Sequence, residues 1–289
     1  MLDLLLVAAA LVGGPVSAKV AVSPHPADTI VDVRRGDRVI LENLDGEISV
    51  RTWDRDRLEI RGEDHGSSLI VRRSGSTLRI VRDDRKGRRR SVEATIRLPA
   101  WVDVEVTGVT LDVTIGGLDG RVEVGNVSGD IWIEDVGGSV DVRTIEGEID
   151  VLRARGGVTA SSQSDHVSLR DVAGPVSVHS GSGDIQMVDI RSGSVRAETQ
   201  DGDIEFSGSI ASGGEYEFFV HDGDAVIAIP SSSGAHLSVS TFDGEFESEF
   251  PVLIERFTGG REFDFTVGNG DARIQIQVFD GEIRLLQRR

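Results

Sequence analysis

The chain is 289 residues long, 38% hydrophobic and free of cysteine, and its 49 Asp and Glu against 31 Lys and Arg give a formal net charge of −18. Such a length and apolar content allow one large core or two modest ones, and the lack of cysteine excludes a disulfide framework, a thiolate metal site and lipid attachment through an N-terminal Cys. Residues 101–289 carry 13 Lys and Arg against 34 Asp and Glu, which excludes nucleic acid as a partner, because phosphate binding needs clustered cations.

Residues 1–18 contain the apolar run Leu4 to Val12 and end in Val16-Ser17-Ala18, small residues where a signal peptidase reads. They predict a cleaved signal peptide and an exported protein, periplasmic or at the cell surface or beyond it. Asp3 stands where a cation is usual, so an uncleaved anchor is the alternative. The run is short for a transmembrane helix and no other segment could span a bilayer, so no membrane span is expected after signal cleavage.

Residues 19–101 read as a β-rich N-terminal module. Short alternating segments run Thr29 to Val33, Arg38 to Glu42, Glu47 to Val50, Leu58 to Arg61, Leu69 to Val71, Leu78 to Val81 and Val92 to Leu98, separated by turn signals such as Asp45-Gly46 and Ser74-Gly75. An antiparallel module that also caps the first repeats after residue 101 is predicted, because the end of a stack of strands must be covered. The run Arg82-Asp83-Asp84-Arg85-Lys86-Gly87-Arg88-Arg89-Arg90 reads as a solvated hairpin tip, with an anchor for anionic lipid or polysaccharide as the alternative.

Residues 102–250 are organised by a nine-residue unit, clearest in Gly129-Asp130-Ile131-Trp132-Ile133-Glu134-Asp135-Val136-Gly137 and the adjoining Gly138-Ser139-Val140 unit. Fixed-period self-similarity predicts a solenoid. Third positions such as Val104, Val122, Ile131, Val140, Ile149 and Val158 are β-branched and flanked by polar residues, the alternation of a strand with one buried face. The eighth position, among others Leu118, Val127, Val136, Ile145 and Ala154, is expected to supply a second inward point. Alternate units carry Asp112, Asp130, Glu148, His166, Asp184, Asp203, Asp224 and Glu245 after the corner residue, so the period is 18 residues with two distinct corners, lengthening to 21 beyond Gly202. The expectation is an all-β, two-cornered parallel β-solenoid of about eight coils of 18–21 residues, with residues 251–289 as a C-terminal β cap. Phe206, Phe218, Phe219, Phe242, Phe246, Phe250, Phe263, Phe265 and Phe279 are read as core and cap.

Strands about 4.8 Å apart would stack the acidic corners into a column. Asp203, Asp224 and Glu245, with Asp201, Asp222 and Asp243 beside them, are the densest set and the candidate calcium site, since hard cations favour clustered carboxylates. The competing reading is that each carboxylate hydrogen-bonds its own corner and is otherwise solvated. No other cofactor is implied. Catalytic motifs are absent: there is no Gly-x-Ser-x-Gly, no His-Glu-x-x-His and no phosphate loop. His166 within the column and His179 near Ser180 and Ser182 read as corner and surface residues.

The tandem Gly-Asp-Ile and Gly-Ser-Val corners, the segment Leu98-Pro99-Ala100-Trp101 and the export signal resemble the putative-adhesin β-solenoid domains of bacteria, a domain of unknown function related to the head GIN type. The resemblance covers roughly residues 28–286 and lies in the repeat. It implies an exported, non-enzymatic adhesin-like scaffold whose partner is a protein or glycan of the cell envelope, and it supplies no catalytic residues. A β-helix polysaccharide-processing enzyme and an envelope-stress or signalling accessory are the alternatives.

Overall fold

The computed structural model describes residues 28–62, 69–83, 91–251, 254–258 and 262–288; the export signal and residues 84–90 of the basic run lie outside them. The described secondary structure is entirely β, 23 strands joined in one sheet. No helix among these residues is long and apolar enough to cross a membrane.

The 18-residue period is the hydrogen-bonding register. Along one face Val104, Val122, Val140, Val158, Val176, Val195 and Tyr216 pair in parallel succession. Along the other, Val113, Ile131, Ile149, Val167, Ile185, Ile204 and Ala225 do the same. Each strand turns alternate residues inward, so both ladders are buried between the faces and form part of one core that runs from Val33 to Leu285. A fully buried β-branched side chain contributes roughly 1.5–3 kcal/mol, and repeating it at every coil supplies the stability that disulfides would otherwise give.

The parallel stack is longer than the regular repeat, and at both ends chain order and spatial order part. The strand Arg38–Trp53 lies between Asp103–Gly116 on one side and Thr77–Arg82 with Val92–Pro99 on the other, parallel to all of them. Among the described residues of this region, antiparallel pairing is confined to that made by Asp28–Asp32, Arg57–Gly62 and Leu69–Ser74, which cover the outermost edges. The expected antiparallel module is therefore corrected: most of it continues the parallel stack, and the pairing does not break near residue 101.

The far end repeats this device. The C-terminal strands Ala272–Asp280 and Ile283–Arg288 form a coil that slots between the coil of Ile204–Asp222 and Ala225–Pro230 and the coil of Ala235–Asp243 and Phe246–Ser248. Residues expected to cap the stack thus lie within it, and the antiparallel hairpin of Ile254–Thr258 and Glu262–Val267 covers the last edge on one face. Pairing on both sides ties down the chain end.

The two corners are built differently. At one, glycine takes positive φ, as at Gly147 (φ +122°), where an added Cβ would lie 2.2 Å from the Gly129 carbonyl oxygen. At the other, non-glycine residues 18 apart, Asp135, Arg153, Asp171 and Asp189, hold φ of 54–58°.

Candidate binding edge

The eighth positions divide between these corners. Leu118, Val136, Ala154, Val172 and Ile190 are buried at the second corner, as expected, but Val127 and Ile145 at the glycine corner are 43% and 50% exposed. The reason is local: there the preceding residue turns inward instead and binds the backbone of the turn. Asn126 Nδ2 donates to the Leu111 and Ser128 carbonyls at 2.7 and 2.6 Å, and the Thr144 hydroxyl donates to the Glu146 carbonyl at 2.9 Å. A strand alternates, so the next residue is pushed outward.

Following this outward position coil by coil gives Val109, Val127, Ile145, Gln163, Gly181, Gln200, His221, Phe279 and Phe242, each one residue beyond a paired or equivalent corner position. It holds five of the seven exposed large hydrophobics among the described residues, with Phe279 48% and Phe242 58% exposed. The aromatic end is a stack: Phe242 and Phe279 lie 4.7 Å apart with planes 3° from parallel, and His221 lies 4.9 Å from Phe279. The expectation that the phenylalanines are core holds for Phe206, Phe218, Phe250 and Phe265 and fails for these two. Their signal is the tripeptide Phe-Asp-Gly at 242–244 and 279–281, matching His-Asp-Gly at 221–223.

Beside this stripe runs the acidic column. Its carboxylates serve the neighbouring coil, not their own corner: Asp112 Oδ1 accepts the Asp130 N–H at 3.0 Å, Asp130 the Glu148 N–H at 3.1 Å, Asp184 the Asp203 N–H at 2.9 Å, Asp203 the Asp224 N–H at 2.8 Å and Asp224 the Glu282 N–H at 2.8 Å. The ladder breaks where Asp165 replaces glycine. Asp165 Oδ2 accepts the Gly147 N–H at 2.7 Å, and an open depression of about 370 Å³ forms between Glu148, Asp165, His166, Asp184 and Asp201.

The candidate calcium residues do not stack as the chain order implies. Asp203 and Asp224 are neighbours, but the intercalated C-terminal coil places Glu282 after Asp224 and puts Glu245 one coil further. By the same displacement Asp280 separates Asp222 from Asp243, while Asp201 and Asp222 are adjacent. Among the described residues no three His, Asp or Glu side chains are gathered in a metal-holding group. The histidines stay apart as well: His179 faces outward while Ser180 is buried on the opposite side of the strand, and His166 Nε2 lies 3.6 Å from Asp184 Oδ2 with both side chains about half exposed.

Charge separates the two corners. At the second, Arg153 grips Asp135 through Nε at 2.5 Å and Nη2 at 2.9 Å and holds its carboxyl below the usual range; Arg191 pairs with Asp171, and Arg288 with Asp189. At the acidic edge, Asp201, Asp222, Asp280 and Asp243 form a column of consecutive coils, and among the described residues no cationic side chain pairs with them. One edge is neutralised and the other is left anionic beside exposed apolar surface.

No curated protein matches the chain. Among solved structures, it is similar to a putative adhesin from Bacteroides fragilis, at 18% identity over 91% of this chain and 98% of that one with a TM-score of 0.48. It is also similar to a putative cell adhesion protein from Clostridium sporogenes, at 11% identity over 91% and 100% with a TM-score of 0.26. A putative adhesin from Parabacteroides merdae aligns at 10% identity over 90% and 96%, with a TM-score of 0.28. The profile of one family, Toastrack DUF4097, matches residues 37–286, almost all of the described strands, and the chain belongs to that family.

Proposed function

We propose that the protein is an exported, non-enzymatic, adhesin-like scaffold that uses its acidic edge to hold a protein or glycan of the cell envelope. The observation that carries this reading is the concentration of exposed apolar side chains, Val109, Val127, Ile145, Phe279 and Phe242, in one stripe beside carboxylates. Monomeric soluble surfaces scatter such residues singly, whereas here Val109, Val127 and Ile145 adjoin at one end of the stripe and His221, Phe279 and Phe242 at the other, and apolar clusters rimmed by polar groups mark a contact surface. A stack of strands holds the stripe rigid, so a partner is met by many repeats at little ordering cost.

A glycan-processing enzyme would have to use the depression at His166. Its carboxylates are occupied as turn acceptors, Asp165 by Gly147 and Asp184 by Asp203, and its walls are open to solvent, which weakens any electrostatic stabilisation of a transition state.

Co-sedimentation of the purified protein with isolated bacterial envelopes tests the proposal. Val127→Ser with Ile145→Ser, or Phe242→Ser with Phe279→Ser, is expected to lower retention several-fold, while Trp132→Ser on an open face leaves it unchanged. Equal retention by all three removes the edge from the function, and release of new reducing ends from envelope glycan by the wild type would make it an enzyme.

A further inference from the structure

The register also locates the two flanks of the basic run. Thr77–Arg82 pairs with the strand residues before Asn43, and Val92–Pro99 with those from Gly46 onward. Asp83 and Ser91, the described residues on either side of the run, therefore stand at the corner that Asp45-Gly46-Glu47 crosses in the neighbouring coil. Their surroundings agree: Arg82 Nη1 lies 3.5 Å from Asp45 Oδ2, and Ser91 lines a depression with Glu47, Glu93 and Asp112. One edge of the stack thus starts at Asp83 and Ser91, between which the sequence has five Arg and Lys, and ends at the His221, Phe279 and Phe242 stack with its carboxylates.

We propose that the aromatic and acidic end of this edge receives the Arg85–Arg90 segment of a second copy, so that copies join head to tail. Charge complementarity is the first argument. Asp201, Asp222, Asp280 and Asp243 stand on successive coils roughly 4.8 Å apart, a spacing at which like charges repel even in water. Guanidinium groups relieve that repulsion, forking onto carboxylates while their apolar stems cover ring edges. The chain already lays Arg on aromatic rings, Arg35 over Trp101, Arg55 over Trp53 and Arg196 over Phe219.

Reach is the second argument. Eight strand-to-strand steps separate the Thr77–Arg82 coil from the one holding His221, roughly 38 Å at the spacing of strands. Seven residues tethered at Asp83 and Ser91 have to go out and come back, so their length allows a reach of at most about 14 Å. The segment cannot reach the far end of its own edge, and another copy's segment can. Such a contact uses different surfaces on the two copies, so it is heterologous and can repeat from copy to copy instead of closing as a pair.

Sedimentation velocity of the full chain at increasing concentration tests this. In 50 mM NaCl the wild type should associate into a series of species, and 500 mM NaCl should weaken association about tenfold or more. Two variants each keep one half of the joint: one with Arg85, Lys86, Arg88, Arg89 and Arg90 all changed to Ser, the other with Phe242→Ser and Phe279→Ser. Each alone should stay monomeric, and their equimolar mixture should give a one-to-one dimer and nothing larger. Asp222→Asn with Asp280→Asn and Asp243→Asn replaces the phenylalanine pair if that variant fails to fold. A wild type that stays monomeric at about 100 µM, a variant that associates as the wild type does, or a mixture that stays monomeric while the wild type assembles overturns the proposal.

Discussion

Gly147 and Asp203 show what the acidic corner asks of single residues. At Gly147 any side chain meets both a positive φ and the carbonyl of the coil below, so Gly147→Ala should cost about 2–4 kcal/mol, read as a lower urea midpoint. Gly213 has φ +71° but open space around it, and Gly213→Ala should cost about 1 kcal/mol. Asp203 supplies one acceptor to the Asp224 N–H. Asp203→Ala should therefore lose about 1 kcal/mol, while Asp203→Asn, which keeps a carbonyl acceptor and removes a repelling charge, should lose nothing. At the opposite corner the Asp135 carboxyl is held below its ordinary 3.8 by the hydrogen bond from Arg153. A depressed carboxylate stabilises the fold above its unfolded value, and that contribution disappears as pH falls through the folded value. Melting temperature should accordingly drop below about pH 4, and Arg153→Gln should shrink that drop.

At the scale of elements, coils beyond Gly202 lengthen and aromatic side chains, Phe206, Tyr216, Phe218 and Phe265, join the aliphatic core. Tyr216 enters the ladder where valines stood, packed edge-on against Phe206. Its hydroxyl donates to the Ser192 carbonyl at 2.6 Å and accepts the Ala211 N–H at 2.7 Å, satisfying the backbone of the longer loop. Tyr216→Phe keeps the ring and strands both groups, so a loss of about 1–3 kcal/mol is expected in urea unfolding. The intercalated coil makes a larger claim. Deleting residues 271–289 should remove strands paired on both sides and release Ala235–Val267 from the stack, seen as rapid proteolysis and amide exchange confined to that region. Protection there as in the full chain would contradict the observed strand order.

For the whole molecule the dominant feature is charge laid along one edge. Residues 101–289 have 34 acids against 13 bases; Arg153, Arg191 and Arg288 neutralise carboxylates at the second corner, while among the described residues no cation pairs with Asp201, Asp222, Asp280 or Asp243, so repulsion gathers at the first. Sodium chloride from 50 to 500 mM should raise the melting temperature by screening it. Calcium should add no more than magnesium at equal ionic strength, because Asp203 and Asp224 already bind backbone and Glu245 lies two coils from Asp224. A calcium-specific rise, abolished by neutralising Asp203, Asp224 and Glu245 together, would restore the metal reading.

Much of this was legible without coordinates, and the physical reason is that a parallel stack makes register equal period. The nine-residue alternation of Ile131, Val140 and Ile149, the 18-residue coil and the acidic corner are readable in the sequence, since each coil meets neighbours fixed by counting. Counting fails at both ends. Nothing local distinguishes Arg38–Trp53 lying second in the stack from its lying first, or Ala272–Arg288 entering ahead of Ala235–Ser248, because strands of like pattern compete for the same edge and only the packed whole selects the order. That order decides whether Phe279 lies between His221 and Phe242, whether Glu245 meets Asp224, and whether the flanks of the basic run share an edge with the acids. Exposure of Val127 and Ile145 was equally hidden, for a valine at position eight reads as core until Asn126 and Thr144 are seen to occupy the inside of the turn. The sequence alone determined the repeat and its charge; the tertiary structure decided which residues the repeat brings together.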